Sequence, residues 1–243
     1  MHELISGFRP EKTVLKLDRE IKILNSSEYQ TDKNLTALIK KLYTAPVEWG
    51  MLAKSFSEKK SYKASDKELP GMFLEMHIDG IVKGLAANNK NFVIDPIPEG
   101  FSTEHYVFRK NKGFGQTTAH PQDINGTSLT YCEYDNLLVA TSENGYKYLI
   151  AIEAKSGSLG EAATEEYRNK LFEPLKEYSL ATPESGISGL GYILITTNKQ
   201  KPNHLGKRIT GDVEFKEIGV FVCIGESREN FVIGALRAGK TMQ

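Results

Sequence analysis

Asp135, Glu153 and Lys155 are the residues whose types and spacing most readily do chemistry. Two carboxylates and an ammonium on the half-buried surface of a strand pair are costly unless something pairs them. A divalent cation held by both carboxylates is a physical solution, and hard oxygen ligands suit magnesium, which keeps waters for a substrate phosphate. The lysine then lies beside the attacking water. That set of groups suits hydrolysis of a phosphodiester. A carboxylate-pair glycosidase fits less well, because a lysine two residues from the glutamate depresses the carboxyl pKa that an acid catalyst needs raised.

Two apolar runs must position these groups. Tyr131 to Ala140 and Tyr146 to Ala154 have strand composition and flank the turn signal Ser142-Glu143-Asn144-Gly145, which reads as a β-hairpin. With a three-residue loop, Glu143 to Gly145, and Gly145 in the left-handed conformation, Ser142 faces Tyr146 and Asp135 faces Glu153. Residues opposed in this way share a face, with Cβ atoms about 4.5–5.5 Å apart, and Lys155 joins them there. A two-residue Asn144-Gly145 loop would put Asp135 and Glu153 on opposite faces. The first register leaves Leu138, Val139, Leu149, Ile150 and Ile152 to pack and gathers the polar groups at one end.

Asp135 followed by Glu153-Ala154-Lys155 at the end of an apolar strand resembles the PD-(D/E)-x-K nuclease superfamily, over the hairpin and its flanking helices, about Ser65 to Ile224. Tyr134 stands where the motif has proline. The resemblance implies an α/β fold, a restriction-endonuclease-like mixed β-sheet flanked by helices. It implies magnesium, with manganese as a substitute, bound by Asp135 and Glu153, and Lys155 assisting the attacking water. In that family the helix before the sheet often adds an acid to the metal site; Glu75 matches this placement, with Asp79 as the substitute. The implied activity is that of a DNA endonuclease, restriction-like or structure-specific. Cutting both strands of a duplex most simply uses two such sites, so a twofold homodimer is expected. The alternative is a non-catalytic nucleic-acid-binding module on the same fold.

The chain divides into a helical N-terminal extension, residues 1–64, and a nuclease-like α/β core, residues 65–243. Twelve basic residues against eight acids give the extension a net charge of +4. It either grips a phosphate backbone or a second subunit, or presents a solvated helical face. Leu35, Leu38, Ile39 and Leu42 have helical spacing, and Trp49 belongs in a core.

Ser65 to Glu68 form a capping box for a helix running to about Asn88, with Pro70 in its first turn. Glu75, Ile78, Val82 and Leu85 fall on one stripe, aiming a carboxylate at the apolar face, with the edge of that stripe as the other reading. Short strands follow at Asn91–Ile94 and Glu104–Arg109. Residues 110–121 read as a long loop, in which Lys110, Lys112 and Gln116 either contact nucleic acid or merely connect strands; His120 is too isolated for catalysis. A helix is expected from Gly160 to Phe172 with a break near Pro174. Tyr167 is the one residue on it suggestive of exonuclease-type members, whose paired glutamine is missing. Gly191–Thr196 and Ile218–Ile224 read as fully buried strands, and Lys199, Lys201, Lys207 and Arg208 between them as a phosphate-contacting rim or solvated charge.

Composition sets outer limits. The chain has 243 residues, with 40% hydrophobic and 26% charged, as in a globular protein. Lysine plus arginine equals aspartate plus glutamate, 31 each, so any DNA-binding surface is local. Cys132 and Cys223 fall within strands and read as buried thiols. The start, Met1 to Gly7, lacks the regions of a signal peptide, and no apolar run approaches membrane-spanning length, which places the chain in the cytoplasm with no membrane partner.

Gly234 to Thr241 fits G-x-x-x-x-G-K-[ST] at every position. Phosphate binding at that motif needs a helix beginning at the lysine, and only Met242 and Gln243 follow, so no nucleotide triphosphate is expected.

Overall fold

A computed structural model describes residues 20–24, 32–58, 65, 67–111, 116–122, 129–157, 159–197, 216–223 and 232–236. In chain order the elements are β1 (Glu20–Leu24), α1 (Lys33–Thr44), α2 (Trp49–Glu58), α3 (Leu69–Asn88), β2 (Phe92–Ile94), β3 (Tyr106–Lys110), β4 (Thr117–Pro121), β5 (Cys132–Tyr134), β6 (Asn136–Thr141), β7 (Lys147–Lys155), α4 (Glu165–Ala181), β8 (Ile187–Thr196) and β9 (Lys216–Cys223). The protein is mixed α/β with two sheets. A six-stranded sheet has the order β1-β9-β8-β7-β6-β2, and a three-stranded sheet the order β3-β4-β5. Strands β7, β8 and β9 run parallel, and every other pairing is antiparallel. No helix among the described residues is long and apolar enough to cross a membrane.

Alternation along the central strands decides what covers each face. Leu138, Ala140, Ile150, Ile152 and Ala154 point to one side and pack with Leu35, Leu38, Trp49, Phe73, Ile78 and Val82 of α1, α2 and α3. Leu137, Leu149, Ala151 and Leu194 point to the other and pack with Leu171, Phe172 and Leu175 of α4 and with Phe108, Ala119 and Tyr134 of the small sheet. Each fully buried large aliphatic or aromatic side chain contributes about 1.5–3 kcal/mol. Burial on both sides explains why β7 reads as one apolar run rather than an alternating one. At Gly191 a Cβ would lie 2.7 Å from Ile150 Cγ1, so the close stacking of these paired residues requires glycine there.

The hairpin has the odd-length turn. Ser142 N donates to the Tyr146 carbonyl at 2.8 Å and Gly145 N to the Ser142 carbonyl at 3.0 Å, with Gly145 at φ 80°. The ladder from Thr141↔Lys147 to Asn136↔Ile152 carries this register to its end, opposite which Asp135 and Glu153 stand as the next pair. Helix α3 has the expected limits, but only half of the capping box forms: the Ser65 amide and hydroxyl both donate to Glu68 Oε2 at 2.8 Å, while Glu68 itself is the N-cap residue and no side chain caps the first turn.

Four expectations change. The run from Tyr131 to Ala140 is two strands: it bends at Asp135, and β5 pairs with β4 whereas β6 pairs with β7. Residues 117–121 are not loop but β4, the middle strand of the small sheet. Helix α4 does not break at Pro174 but runs on to Ala181, after a short 3-10 turn at Gly160–Ala163. Losing one backbone hydrogen bond costs the helix about 3 kcal/mol, which burial of Leu171, Phe172, Leu175 and Tyr178 offsets. The segment 1–64 is not purely helical: β1 joins the large sheet, and α1 and α2 share the core of α3.

Candidate active site

Asp135 occupies the corner where the chain leaves the small sheet for the large one. Its Oδ2 accepts the Ala154 amide at 2.7 Å, one step beyond the last ladder pair of β6 and β7. The carboxylate thereby substitutes for the strand that ends there. Lys155, the last residue of β7, brings its Nζ to 3.8 Å from Asp135 Oδ2 and 3.4 Å from Glu153 Oε2. Tyr167, in the first turn of α4 behind the Thr164 cap, donates its hydroxyl to Glu153 Oε2 at 3.1 Å. Two carboxylates, one ammonium and one phenol therefore meet at one end of the hairpin.

Burial divides their roles. The Glu153 side chain is 1% exposed and that of Asp135 8%, while Lys155 is 31% exposed and forms the approach from solvent. Burial first, and then the charge of Asp135, push the Glu153 carboxyl up to about 8 against the pull of Lys155 and Tyr167. Burial likewise raises Asp135 despite Lys155 and the Ala154 amide. Burial pulls the Lys155 ammonium down, but Asp135, Glu153 and Glu75 outweigh it and hold it above the ordinary lysine value. The sequence-based expectation that Lys155 keeps the glutamate low is thus overturned: its pull is present but is outweighed by burial and Asp135.

Glu153 Oε1 is buried and has no hydrogen-bond partner among the described residues. Together with the raised acid pKa values, that orphaned oxygen fits a site for a hard cation, which would compensate both carboxylates at once. Glu75 does not complete a ligand set: among the described residues no three acid, histidine or cysteine side chains stand close enough to share an ion. The reason is the pleat. Glu75 lies on α3, whose apolar side packs against the Ile150–Ile152–Ala154 face of β7, whereas Glu153 and Lys155 share the opposite face with Leu149 and Ala151. The charge of half-buried Glu75 helps to raise Lys155. Asp79 is bound to Lys83 at 2.7 Å on the surface.

The proposed nucleic-acid contacts scatter. Lys110 Nζ is held by Asp95 at 3.1 Å and Thr117 Oγ1 at 2.6 Å, as a bracket between the two sheets rather than a free phosphate contact. Gln116 is half-buried, its carbonyl accepting the Asn111 amide at 2.7 Å. Lys112, Lys199, Lys201, Lys207 and Arg208 lie outside the described residues. His120 Nε2 lies 3.0 Å from Thr118 Oγ1. Trp49 is buried, and Cys132 is a free, buried thiol. Of the phosphate-loop match, Gly234, Ala235 and Leu236 are helical, and a Cβ at Gly234 would lie 2.4 Å from the Trp49 ring. These three residues pack beside Trp49, and the rest of the motif, 237–241, lies outside the described residues.

Sequence reasoning underrated two residues. Tyr167 was legible only as a resemblance; its capping Thr164, three residues earlier, fixes the turn that aims it at the sheet. Glu133, two residues before Asp135 and so near it along β5, is raised by burial and by the Asp135 charge and is hydrogen-bonded by Asn111. Comparison with protein-family models, with curated proteins and with solved structures finds no match for this chain.

Proposed function

We propose that this chain is a magnesium-dependent DNA endonuclease of the PD-(D/E)-x-K type, with Asp135 and Glu153 holding the metal and Lys155 facing the substrate. One observation carries the reading. Two buried carboxylates share a single ammonium at 3.4 and 3.8 Å, and one carboxylate oxygen has no partner among the described residues. The central hairpin, with α3 on one face and α4 on the other, supports a restriction-endonuclease-like core. When bound, magnesium supplies charge neutralisation at the phosphate and an activated water. Manganese substitutes, since it takes the same oxygen ligands.

The chain's own groups do the rest. Tyr167 and Lys155 fix Glu153 Oε2 from two sides and leave Oε1 for the cation. Because the surrounding carboxylates keep Lys155 protonated, it orients water and stabilises charge on the phosphate instead of acting as a base. A raised carboxyl would also suit glycoside hydrolysis, but a 1% exposed Glu153 admits an ion and not a sugar ring. Two copies, one per strand, form the expected homodimer.

Supercoiled plasmid incubated with the protein and magnesium or manganese is expected to be nicked and linearised, with no reaction in chelator or with Glu153→Gln. An intact plasmid overturns the reading. If that intact plasmid is still shifted on a gel at low salt, a non-catalytic nucleic-acid-binding module takes its place.

A further inference from the structure

Lys155 ends its strand, and nothing in β7 itself fixes the backbone that follows. Ser156 and Gly157 form a bend outside any ladder. In the parallel register, Lys155 stands beside Thr196, the last residue of β8. One residue further, Thr197 makes two bonds back across the gap: its amide donates to the Lys155 carbonyl at 3.2 Å, and its hydroxyl donates to the Ser156 carbonyl at 2.7 Å. Thr197 is 2% exposed, so water does not compete for either bond. The amide bond would form with any residue but proline. The hydroxyl bond depends on the side chain.

We propose that Thr197 is a positioning residue for Lys155. By holding two successive carbonyls, it extends the β7–β8 pairing past the end of both strands and fixes where the lysine stem leaves the sheet. The ammonium reaches both carboxylates at 3.4 and 3.8 Å only if that stem starts from the right place. A shift of about 1 Å at such a group costs up to about 100-fold in rate. Thr197 touches neither substrate nor carboxylate; it acts through Lys155.

The inference rests on the nuclease reading for its catalytic consequence but not for its geometry, so two measurements are paired. The first is the 13Cε–15Nζ resonance of Lys155 in the protein without metal or DNA, identified by its disappearance in Lys155→Arg. Thr197→Val keeps the shape and removes the hydroxyl, and is expected to move this resonance toward that of solvated lysines. Thr197→Ser keeps the hydroxyl and leaves it in place. The second is single-turnover plasmid cleavage at saturating protein, expected to slow at least tenfold in Thr197→Val with unchanged DNA affinity, and to recover in Thr197→Ser.

An unmoved Lys155 resonance in Thr197→Val overturns the proposal, as does a Thr197→Ser protein impaired like the valine variant. Should Thr197→Val fail to fold, Thr197→Ser alone decides, since a displaced resonance there contradicts the role of the hydroxyl. If the wild type cleaves nothing while the resonances behave as stated, the nuclease reading fails and the positioning role stands.

Discussion

Replacing Glu153 with glutamine removes a charge that the fold holds at a disadvantage, so the variant is expected to be more stable than the wild type. The Glu153 carboxyl rises from 4.5 to about 8 on folding, driven by burial and by Asp135. Because the folded value lies above the unfolded one, the destabilisation is absent below about pH 4.5, grows between about 4.5 and 8, and is constant above. At about 1.4 kcal/mol per pH unit, it reaches about 3 kcal/mol at pH 7 and about 5 kcal/mol above pH 8. Glutamine has the same shape, can still accept from Tyr167, and carries no charge to bury.

Urea denaturation in chelator at pH 5, 7 and 8.5 checks this. The gain from Glu153→Gln should be small at pH 5, about 3 kcal/mol at pH 7 and larger at pH 8.5. Magnesium at about a hundred times its Kd should then stabilise the wild type by about 2.7 kcal/mol and leave the variant unmoved. Equal stability at pH 8.5, or a gain independent of pH, would refute the account of Glu153 as a strained, ion-seeking carboxylate.

Lys155→Met removes the only ammonium within 4 Å of both carboxylates among the described residues, and should slow cleavage by about 100-fold or more while gel-shift binding persists. Asp32 caps α1 through the Asn34 and Leu35 amides at 3.0 Å and also accepts the Glu143 amide at 2.6 Å. Asp32→Ala should cost about 2 kcal/mol in urea without changing the cleavage rate, since it releases the hairpin at the end remote from Asp135. Gly191→Ala drives a methyl to 2.7 Å from Ile150 Cγ1 and should cost about 1–3 kcal/mol, lowering the thermal midpoint without abolishing folding.

Local signals carried the hairpin and α3. Gly145 after Asn144 marked a turn, the packing of the flanking apolar residues chose the three-residue loop over the two-residue one, and Ser65, Glu68 and Pro70 marked a helix start that tertiary contacts had no reason to move. What local signals could not carry was partner choice. Nothing in Tyr131 to Ala140 announces that Tyr134 pairs with Thr117 while Asn136 pairs with Ile152, because the polar residues Asp135 and Asn136 mark a place to bend but do not name the strand on either side of it. Thr117 to Pro121 has weak strand composition and became a strand because it has a neighbour on each side. Pro174 was a correct local signal outweighed by burial. Glu75 went astray for a third reason: its helical stripe was right, but which face of the sheet that stripe covers depends on the packing of α3, and the acids face the other way.

The corner at Asp135 bears on how this site can be dissected. Its carboxylate serves as ligand candidate and as the acceptor that closes the sheet against Ala154. Removing it therefore opens a seam between two sheets as well as a metal position, and an inactive Asp135→Ala protein would not say which loss mattered. Glu153 is the cleaner lesion, because its carboxylate anchors no backbone amide among the described residues. The same economy couples the layers: a ligand or crosslink that tilts the small sheet would carry Asp135 with it, and the distance between the two acids would report that tilt.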